Sequence, residues 1–466
     1  MTPRVVVVGA GPAGVRAAQA LVEAGVQPIV VDEGRRDGGQ IYRRQPDGFQ
    51  RSAATLYGSE AAKAQALHRD FDALREQVDY RSETLAWNLT AGRLHTVHAA
   101  SGTTAELGFD ALVVCAGATD RLMPVPGWQH AGCYSLGAAQ IALKAQACAI
   151  GSRVVFMGSG PLLYLVAAQY VKAGARVEAV LDTAPAVPGW AALRGLLRRP
   201  RLLLRGLALR AALRRAGVSV LNAVTPLRIE GTPNDGVSAV VLRDARGAER
   251  TFACDAVGLG WHLRAESQLA DLAGCDFAFE AASRQWLPRI DDCGRSSVPG
   301  VYLAGDGARI LGADGAEAAG RLAALAALDD LKHARGQTLF TAEHSRLQRT
   351  LATMDGFRAG LVQAFPWPHA HAAALPNDAI VCRCEAVTAG ELRRSVLDLG
   401  SQELNRAKAF SRVGMGRCQG RYCGHAAAEV VAAAASLPVE QVGRLRGQAP
   451  VKPVLMSAQE GAQEHG

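Results

Sequence analysis

Four of the ten cysteines lie in the C-terminal part of the chain, and thiolates are the side chains that bind soft metals. Cys382 and Cys384 are separated by a single residue, whereas Cys418 and Cys423 are separated by four. Structural zinc sites use more widely spaced cysteine pairs than the first of these. Since a [2Fe–2S] cluster needs four thiolates on two irons, we predict such a cluster here. Zinc and unligated thiols are the alternatives, and we expect His425 to be structural.

A glycine-rich loop near the N-terminus has the spacing of a dinucleotide-binding turn. It follows four consecutive valines, which predict a buried strand, and it leads into a predicted helix. Gly9 permits the tight turn, Gly11 lets the backbone approach a pyrophosphate, and Gly14 lets the helix pack closely on the strand. A second predicted strand ends in Asp32, where a ribose hydroxyl needs an acceptor. This context predicts a dinucleotide site, and an ordinary glycine-rich turn is the alternative.

Three later turns have compositions that suit the same site. Gly39 and Gln40 follow the second strand, where a glycine pair lets the backbone lie against a flat ring or a second phosphate. A buried strand ends in the small-residue turn 116–119. Another strand ends in Ala-Gly-Asp, where Asp306 can accept a hydrogen bond from a sugar-alcohol hydroxyl or, alternatively, cap the following helix. We expect all three turns to face one ligand.

A second strand–turn–helix unit starts near residue 152 and repeats the first. Gly158 and Gly160 match the first two glycines, and the next strand ends at Asp182, which favours an unphosphorylated ribose. The third glycine position holds Leu163, whose side chain should alter the packing of helix on strand. A working nucleotide site and a degenerate domain that serves as scaffold are both open at this point.

The elements that position these residues predict an α/β fold with two Rossmann-like domains and a small helical C-terminal domain. We expect the span 46–81 to be helical, with short strands after it. The predicted domains are a first nucleotide-binding domain (1–122 and 288–332), a second nucleotide-binding domain (123–287), a helical linker (333–376), a cluster domain (377–440) and a C-terminal tail (441–466).

The overall composition is that of an ordinary globular protein, with 49% hydrophobic and 20% charged residues. A net charge of +8 spread over 466 residues does not indicate a nucleic-acid partner. The chain begins with a strand rather than a cleavable signal, and no apolar run is long enough to span a membrane, so we expect a cytoplasmic protein. The basic, leucine-rich stretch 188–217 allows at most peripheral membrane contact, and an ordinary amphipathic or partner-facing helix is favoured.

With these motifs in hand, the chain resembles a known family over nearly its whole length. The turns at 9–14, 38–40, 116–119 and 304–307 look like the FAD-binding motifs of the glutathione- and thioredoxin-reductase architecture. The four clustered cysteines are similar to those of the bacterioferritin-associated-ferredoxin-like (BFD-like) [2Fe–2S] module. The combination resembles the α (A) subunits of bacterial opine oxidases and D-hydroxyproline dehydrogenases, and the flavoprotein subunit of hydrogen cyanide synthase.

The resemblance implies which residues bind each group. For FAD these are Gly9, Gly11, Pro12, Ala13, Gly14, Asp32, Glu33, Gly39, Gln40, Ala116, Gly117, Thr119, Gly305, Asp306 and Ala318. For the cluster they are Cys382, Cys384, Cys418 and Cys423, and for NAD or ATP in the second domain they are Gly158, Gly160 and Asp182. No cysteine pair with the spacing used by the disulfide reductases lies in residues 1–375, so dithiol–disulfide exchange is not expected.

The resemblance also implies an electron-transfer subunit of an oxidoreductase that acts on C–N bonds. A separate β subunit similar to D-amino-acid oxidases would oxidise the substrate, a small γ ferredoxin-like subunit occurs in some members, and FMN lies between subunits in others. We expect this chain to relay electrons through FAD and the cluster and to contain no catalytic acid or base. The alternatives are a stand-alone NAD(P)H-dependent reductase, a glycine-oxidising subunit of hydrogen cyanide synthase, and a scaffold that carries its cofactors structurally.

Overall fold

The first nucleotide-binding domain is built on a parallel five-stranded sheet. A computed structural model describes residues 3–49 and 51–455 and the backbone of residues 459–460. Across the sheet, the order of strands is Val301–Leu303, Ala111–Val114, Val5–Val8, Ile29–Val31 and Asp79–Arg81. The valine strand is central, and its residues Val6 and Val7 pair with Ile29 and Val30 on one side. Because both faces are covered, the four valines are buried as predicted.

Two helices cover one face of this sheet and pack against each other: Pro12–Glu23 and Gly312–Asp330. Further helical segments lie outside them at Ala53–Tyr57, Gly58–Glu60, Ala61–Leu74 and Arg75–Gln77. The expected helix over 46–81 is therefore broken, and its end is wrong, because residues 79–81 pair with the second strand of the sheet. An antiparallel meander covers the other face, with strands Thr84–Thr90, Arg93–His98 and Thr103–Gly108; the short strand Gln459–Glu460 pairs with the last of them.

The second nucleotide-binding domain repeats the design with another parallel five-stranded sheet. Its strand order is Ser219–Leu221, Arg176–Asp182, Arg153–Ser159, Ala256–Trp261 and Cys133–Ser135. The accompanying helices are Leu136–Ala145, Pro161–Lys172, Trp190–Leu196 and Pro200–Arg215, and an antiparallel sheet is formed by Thr225–Thr232, Gly236–Arg243 and Glu249–Ala253. Two Rossmann-like domains are thus confirmed.

Short elements connect the two domains. Strand Ala118–Asp120 leaves the first domain and pairs antiparallel with Leu263–Ala265, which leaves the second. Nearby lie the helix Gln268–Leu272, the hairpin Phe277–Glu280 with Gln285–Pro288, and the 3₁₀ turn Gly305–Gly307. Since both crossing strands follow the carboxyl end of a parallel strand, the edges of the two sheets where ligands bind face the same region.

The chain then passes through a long helix, Ala334–Ala364, and a short one, His369–Ala373, into the cluster domain. That domain contains strands Ile380–Cys382 and Val387–Thr388 and helices Ala389–Leu397, Leu404–Ser411, Gly424–Ala435 and Val439–Val442. Its first helix is held by a capping box between Thr388 and Glu391, whose Thr-x-x-Glu spacing is the sequence pattern of this motif. Buried residues of this domain and of the second nucleotide-binding domain form one continuous hydrophobic core.

The predicted domain boundaries stay a prediction, and residues 456–458 and 461–466 of the predicted tail lie outside the described residues, as do Met1 and Thr2. His371, on the short helix that precedes the cluster domain, is half-buried and hydrogen-bonds to the carbonyl oxygen of Pro226 at 2.9 Å. No helix in the described part of the chain is long and apolar enough to cross a membrane. The basic stretch 188–217 forms two helices and exposes Trp190, with 88% of its surface accessible.

Candidate functional site

The glycine-rich loop adopts the close-packed geometry that a dinucleotide turn needs. An added Cβ on Gly14 would lie 1.7 Å from the carbonyl oxygen of Gly9, so only glycine allows the helix to approach the strand here. Gly9 has φ +101° and faces the carbonyl oxygen of Cys115. Gly11 faces Gly39, and a Cβ on Gly39 would lie 2.9 Å from the Cα of Gly11. The two loops therefore pack backbone against backbone, and both glycines also line the cavity described below.

Asp32 holds the start of this loop in place. Its carboxylate accepts hydrogen bonds from the backbone amides of Ala10 and Gly34 at 2.5 and 2.6 Å. Burial raises the pKa of Asp32 to about 6, and the two amide hydrogen bonds act in the opposite direction. Each carboxylate oxygen has capacity for a second donor, such as a ribose hydroxyl. Glu33, next along the chain, forms an ion pair with Lys452 at 2.7 Å.

One large cavity of about 1050 Å³ extends from this loop into the space between the two nucleotide-binding domains. Twelve of the residues predicted to bind FAD line it: Gly9, Gly11, Pro12, Ala13, Asp32, Glu33, Gly39, Gln40, Ala116, Gly117, Thr119 and Asp306. Gly14, Gly305 and Ala318 do not line it, and the first of these acts in packing instead. The cavity is as large as the largest usual small-molecule sites, which suits an extended ligand.

The polar groups at the far end of the cavity have unused hydrogen-bonding capacity. The hydroxyl oxygen of Thr119 is buried and has no hydrogen-bond partner within the described residues. Asp306 uses Oδ1 to accept from the amides of Leu311 and Gly312 at 2.8 and 3.0 Å, so it caps a turn while lining the cavity. Burial raises the pKa of Asp306. The glycine cradle and the unpartnered Thr119 together fit a bound dinucleotide such as FAD.

The second glycine-rich turn differs from the first in what its predicted residues contact, although Pro161, Leu162 and Tyr164, which follow it, line the large cavity. Asp182 is fully buried and accepts hydrogen bonds from the Tyr164 hydroxyl at 2.6 Å and from the Ala184 amide at 2.8 Å. A Cβ on Gly158 would lie 1.7 Å from the carbonyl oxygen of Gly260, so this glycine serves strand packing. The three residues predicted for this site, Gly158, Gly160 and Asp182, do not line the cavity.

The neighbouring side chains fill the space beside that turn. The ring of His262 packs 3.3 Å from where a Cβ of Gly160 would be, and its Nε2 contacts the carbonyl oxygen of Phe365 at 2.8 Å. Burial lowers the pKa of His262 to about 4. Leu163 is completely buried in the hydrophobic core of the second domain, so the leucine at the third glycine position is accommodated by packing.

The four clustered cysteines come together in the cluster domain. Their contacts are pairwise: Cys423 hydrogen-bonds with both Cys382 and Cys418, and Cys418 contacts Cys384. The hydrogen bond from Cys423 lowers the pKa of Cys382 to about 6 and that of Cys418 to about 5, although burial opposes both shifts. The same contacts raise the pKa of Cys423. In the described ranges 3–49 and 51–455, no group of three or more His, Cys, Asp or Glu side chains is arranged to hold a single metal ion.

Backbone amides point at these sulfurs. The amides of Glu385 and Gly414 donate to Cys382, and those of Gly420 and Tyr422 donate to Cys418. A Cβ on Gly416 would lie 2.2 Å from the Cβ of Cys384, so the loop must carry glycine to close over the thiols. Four thiols that contact one another in pairs and accept hydrogen bonds from backbone amides fit a cluster in which four thiolates bind two irons. By contrast, burial raises the pKa of Cys115, Cys133 and Cys254 to about 12, which is consistent with inert thiols.

The loop between Cys418 and Cys423 also reaches the large cavity. Arg421 and Tyr422 line it, together with Glu266 from the strand-crossing region. The guanidinium of Arg421 donates to both carboxylate oxygens of Glu266 at 2.7 and 3.1 Å and to the carbonyl oxygen of Val451 at 2.8 Å. The Glu266 amide in turn donates to the carbonyl oxygen of Gly117 at 3.0 Å. The predicted dinucleotide turn and the predicted cluster loop are thus joined through one buried ion pair.

Three further contacts anchor the cluster domain to the rest of the molecule. Arg444 forms a bidentate ion pair with Asp271 at 2.7 and 2.8 Å. Arg284 pairs with the buried Glu429 at 2.7 and 2.8 Å. The Gln268 side chain donates to the carbonyl oxygen of Gln419 at 2.8 Å. Apart from Gln419, which lies between Cys418 and Cys423, none of these residues belongs to a motif, so the sequence offers no signal that would single them out.

Comparison with known proteins shows which families this chain is similar to. The family model described as "Pyridine nucleotide-disulphide oxidoreductase" matches residues 3–326, and "BFD-like [2Fe-2S] binding domain" matches residues 380–433. The chain is 38% identical to the opine oxidase A subunit of Agrobacterium tumefaciens (strain Ach5), with 97% of this chain and 90% of that protein covered. It is 31% identical to the hydrogen cyanide synthase subunit HcnB of Pseudomonas aeruginosa, with 98% of both chains covered.

A solved structure supports the fold. The crystal structure of L-proline dehydrogenase from P. horikoshii superposes with a TM-score of 0.69, and the alignment covers 98% of this chain and 79% of that one. The sequence identity in this comparison is 18%, so the likeness concerns the fold. Both family models cover the predicted motifs: the first contains the glycine-rich loop and the second contains all four clustered cysteines.

Proposed function

Since the chain belongs to the pyridine nucleotide-disulphide oxidoreductase family and groups within it with the opine oxidase A subunits, we propose that it is the electron-relaying subunit of an amino-acid or opine dehydrogenase. The chain is an oxidoreductase of the FAD-binding type with a C-terminal [2Fe–2S] domain. One observation carries the proposed role. Arg421 and Tyr422 of the cluster loop line the same cavity as the glycine-rich loop, which supports the proposal that the two redox groups lie near each other.

Each part of the cavity has a proposed task. Gly9, Gly11 and Gly39 would hold the pyrophosphate of FAD because they leave the backbone open. Asp32 would accept from the ribose and Thr119 would hydrogen-bond near the flavin ring. When bound, a flavin and a [2Fe–2S] cluster supply redox centres that together convert an electron pair into single electrons. The protein contributes placement and exclusion of water, and we assign no acid or base in this chain to the chemistry.

The cluster cysteines, Cys382, Cys384, Cys418 and Cys423, are the proposed iron ligands. Arg421 would keep their loop against the cavity through its pair with Glu266. The amides of Gly414 and Gly420 would donate to cluster sulfur and raise its reduction potential, since they stabilise negative charge.

The substrate would be oxidised on a partner. We propose that this partner is a β subunit similar to D-amino-acid oxidases. The resemblance also implies a small γ ferredoxin-like subunit in some members and an FMN between subunits in others. Opines, D-hydroxyproline and related imino acids are the proposed substrates because the opine oxidase A subunits are more similar to this chain than the hydrogen cyanide synthase subunits are. The second candidate function is that of a hydrogen cyanide synthase subunit, for which glycine is the proposed substrate. We propose a cytoplasmic location for the assembly.

We propose that the second domain does not turn over NAD(P)H. Asp182 is committed to Tyr164 and Ala184, and neither of the two glycines in that turn lines the cavity. A stand-alone NAD(P)H-dependent reductase would need these groups to face a nucleotide.

The test is an anaerobic visible spectrum of this chain co-purified with its partner, together with iron and acid-labile sulfide assays. NADH is added first and candidate opines and amino acids afterwards. We expect flavin bands and about two iron and two sulfide per chain, with bleaching by an amino acid or opine and none by NADH. A Cys384→Ser variant should keep the flavin bands and lose the iron. If NADH alone bleached the flavin, the chain would be a stand-alone reductase rather than an electron-relaying subunit. If the protein contained zinc and no acid-labile sulfide, the proposed [2Fe–2S] cluster would be wrong.

A further inference from the structure

One corner of the large cavity contains two cations, Lys144 and Arg43, that form no ion pair among the described residues. Lys144 lies on the helix Leu136–Ala145 of the second domain, is only 8% exposed, and lines the cavity. Its ammonium group donates to the carbonyl oxygen of Ile41 at 3.3 Å and lies 5.8 Å from the ring centroid of Tyr57. Both contacts orient the charge without neutralising it.

Arg43 of the first domain lines the same corner. Its Nη2 donates to the side-chain oxygen of Gln40 at 2.8 Å. Its Nε is buried and has no hydrogen-bond partner within residues 3–49 and 51–455. Neither Arg43 nor Lys144 forms an ion pair among the described residues, and the nearest carboxylate on which Arg43 is seen to act is that of Asp32, whose pKa it lowers. Two other cations of the cavity are paired: Arg205 contacts Glu60 at 2.6 Å and Lys63 contacts Asp314 at 2.5 Å.

Two neighbouring cations in a partly desolvated corner are unfavourable without a counter-charge. Burial lowers the pKa of Lys144 to about 8, and the charge of Arg43 acts in the same direction. An oxyanion placed between the two side chains would reverse both effects. It could accept charge-assisted hydrogen bonds from the ammonium group and from the unpartnered Nε.

We propose that Lys144 and Arg43 form a phosphate-binding corner that bridges the two nucleotide-binding domains. This inference rests on the proposed function only in that the cavity holds a nucleotide cofactor. A phosphate group suits the pair because Arg presents a planar fork of donors and Lys a compact charge. The phosphate has two possible sources, the pyrophosphate of the dinucleotide itself or the phosphate of a second ligand in the same cavity.

The corner has a structural consequence because its two cations come from different domains. A phosphate held by both would fix the helix Leu136–Ala145 against the loop that contains Gln40 and Arg43. Occupancy would thus oppose separation of the domains and keep the cavity closed to water. This assigns the second domain a binding task that does not depend on its own glycine-rich turn.

The test compares Lys144→Met, Lys144→Arg and the control Lys172→Met. Lys172 also donates to a backbone carbonyl, that of Ala54 at 3.2 Å, but it is exposed and does not line the cavity. Inorganic phosphate is titrated into the FAD-loaded protein with its co-purified partner, by calorimetry and by flavin absorbance. In a second arm, FAD is titrated into the FAD-depleted complex.

We expect Lys144→Met to weaken one of these two affinities by about tenfold to a hundredfold, the usual effect of losing a charge-assisted hydrogen bond. Lys144→Arg should keep most of the affinity, and Lys172→Met should match the unmodified protein. Loss of phosphate binding to the FAD-loaded protein identifies a second ligand, whereas loss of FAD affinity alone identifies the dinucleotide's own pyrophosphate.

The proposal is overturned if Lys144→Met and Lys172→Met both match the unmodified protein within about twofold in the two titrations. If Lys144→Met does not fold, Arg43→Gln carries the same comparison, with the same expected loss. Neither titration involves electron transfer. A failure of the relay function would therefore appear in the amino-acid bleaching experiment and leave these affinities unchanged, so the two proposals fail separately.

Discussion

Replacing Glu266 by Gln tests whether one ion pair joins the cluster loop to the cavity. Glu266 and Arg421 are 7% and 8% exposed and make two contacts, at 2.7 and 3.1 Å. The change leaves Arg421 buried beside a neutral amide. Arg264, which lies 3.7 Å from Glu266, also loses its only nearby carboxylate among the described residues. Removing one partner of a buried pair costs about 3–5 kcal/mol, whereas an exposed pair is worth about 0–1 kcal/mol.

The measurement is urea unfolding of the loaded protein, followed by the visible absorption of the cluster and by far-ultraviolet circular dichroism. We expect Glu266→Gln to lower the free energy of unfolding of the cluster-containing unit by about 3 kcal/mol or more. The matched control is Glu230→Gln, which breaks an exposed pair with Arg228 and should cost less than about 1 kcal/mol. The double variant Glu266→Gln/Arg421→Met should be more stable than the sum of the single changes predicts.

Equal stability of Glu266→Gln and Glu230→Gln would refute this reasoning. It would mean that water or a rearranged side chain replaces the lost charge, and that the cluster loop does not depend on this pair. A large loss in the single variants with no coupling in the double variant would also refute it, because the two residues would then act through different partners.

Four other substitutions each test one feature of the site. Gly14→Ala should abolish FAD binding and destabilise the fold, because its Cβ would lie 1.7 Å from the Gly9 carbonyl oxygen. The Cβ of Gly11→Ala would lie 3.7 Å from the Cα of Gly39, an ordinary contact distance. This variant should therefore lose FAD while its melting temperature, followed by circular dichroism, changes little. Cys384→Ser should remove iron in a colorimetric assay and leave the flavin spectrum intact; retention of iron would exclude Cys384 as a ligand. Because its pKa is lowered to about 4, the His262 ring stays neutral in the folded protein, whereas in the unfolded chain it takes up a proton below about pH 6.5. The free energy of unfolding should therefore be unaffected by this group above pH 6.5 and should fall by roughly 3 kcal/mol as the pH is lowered to about 4. His262→Gln should flatten this part of the pH dependence in urea unfolding, and an unchanged slope would contradict it.

Local patterns in the sequence predicted the elements whose residues are close together in the chain. The valine strand, the glycine turn and the capping box at Thr388 each depend on fewer than about 20 neighbouring residues, so their physics is readable from spacing. The strand Asp79–Arg81 was hidden within a helical span because its pairing with Ile29–Val31 is a long-range contact. Tertiary pairing there outweighs local helix propensity.

The contacts that unite the site escaped prediction for the same reason. Glu266 and Arg421 are 155 residues apart, and Lys144 and Ile41 are 103 residues apart. Nothing in the immediate sequence of these residues distinguishes them from surface charges. Asp182 is a converse case: it occupies the position of a ribose acceptor in sequence, and the sequence did not show that the Tyr164 hydroxyl, 18 residues away, donates a hydrogen bond to its carboxylate.

The two nucleotide-binding domains show how one pattern can support two tasks. In the first, Gly11 and Gly39 keep the backbone open to the cavity, and Asp32 remains at its edge. In the second, the glycines serve packing and Asp182 is buried, but the helix that precedes the repeated strand places Lys144 in the first domain's cavity. The second domain therefore forms one wall of the cavity whether or not its own glycine-rich turn binds a nucleotide. Leu163 is accommodated for a local reason: its side chain is completely buried in the hydrophobic core of that domain, and such burial is stabilising.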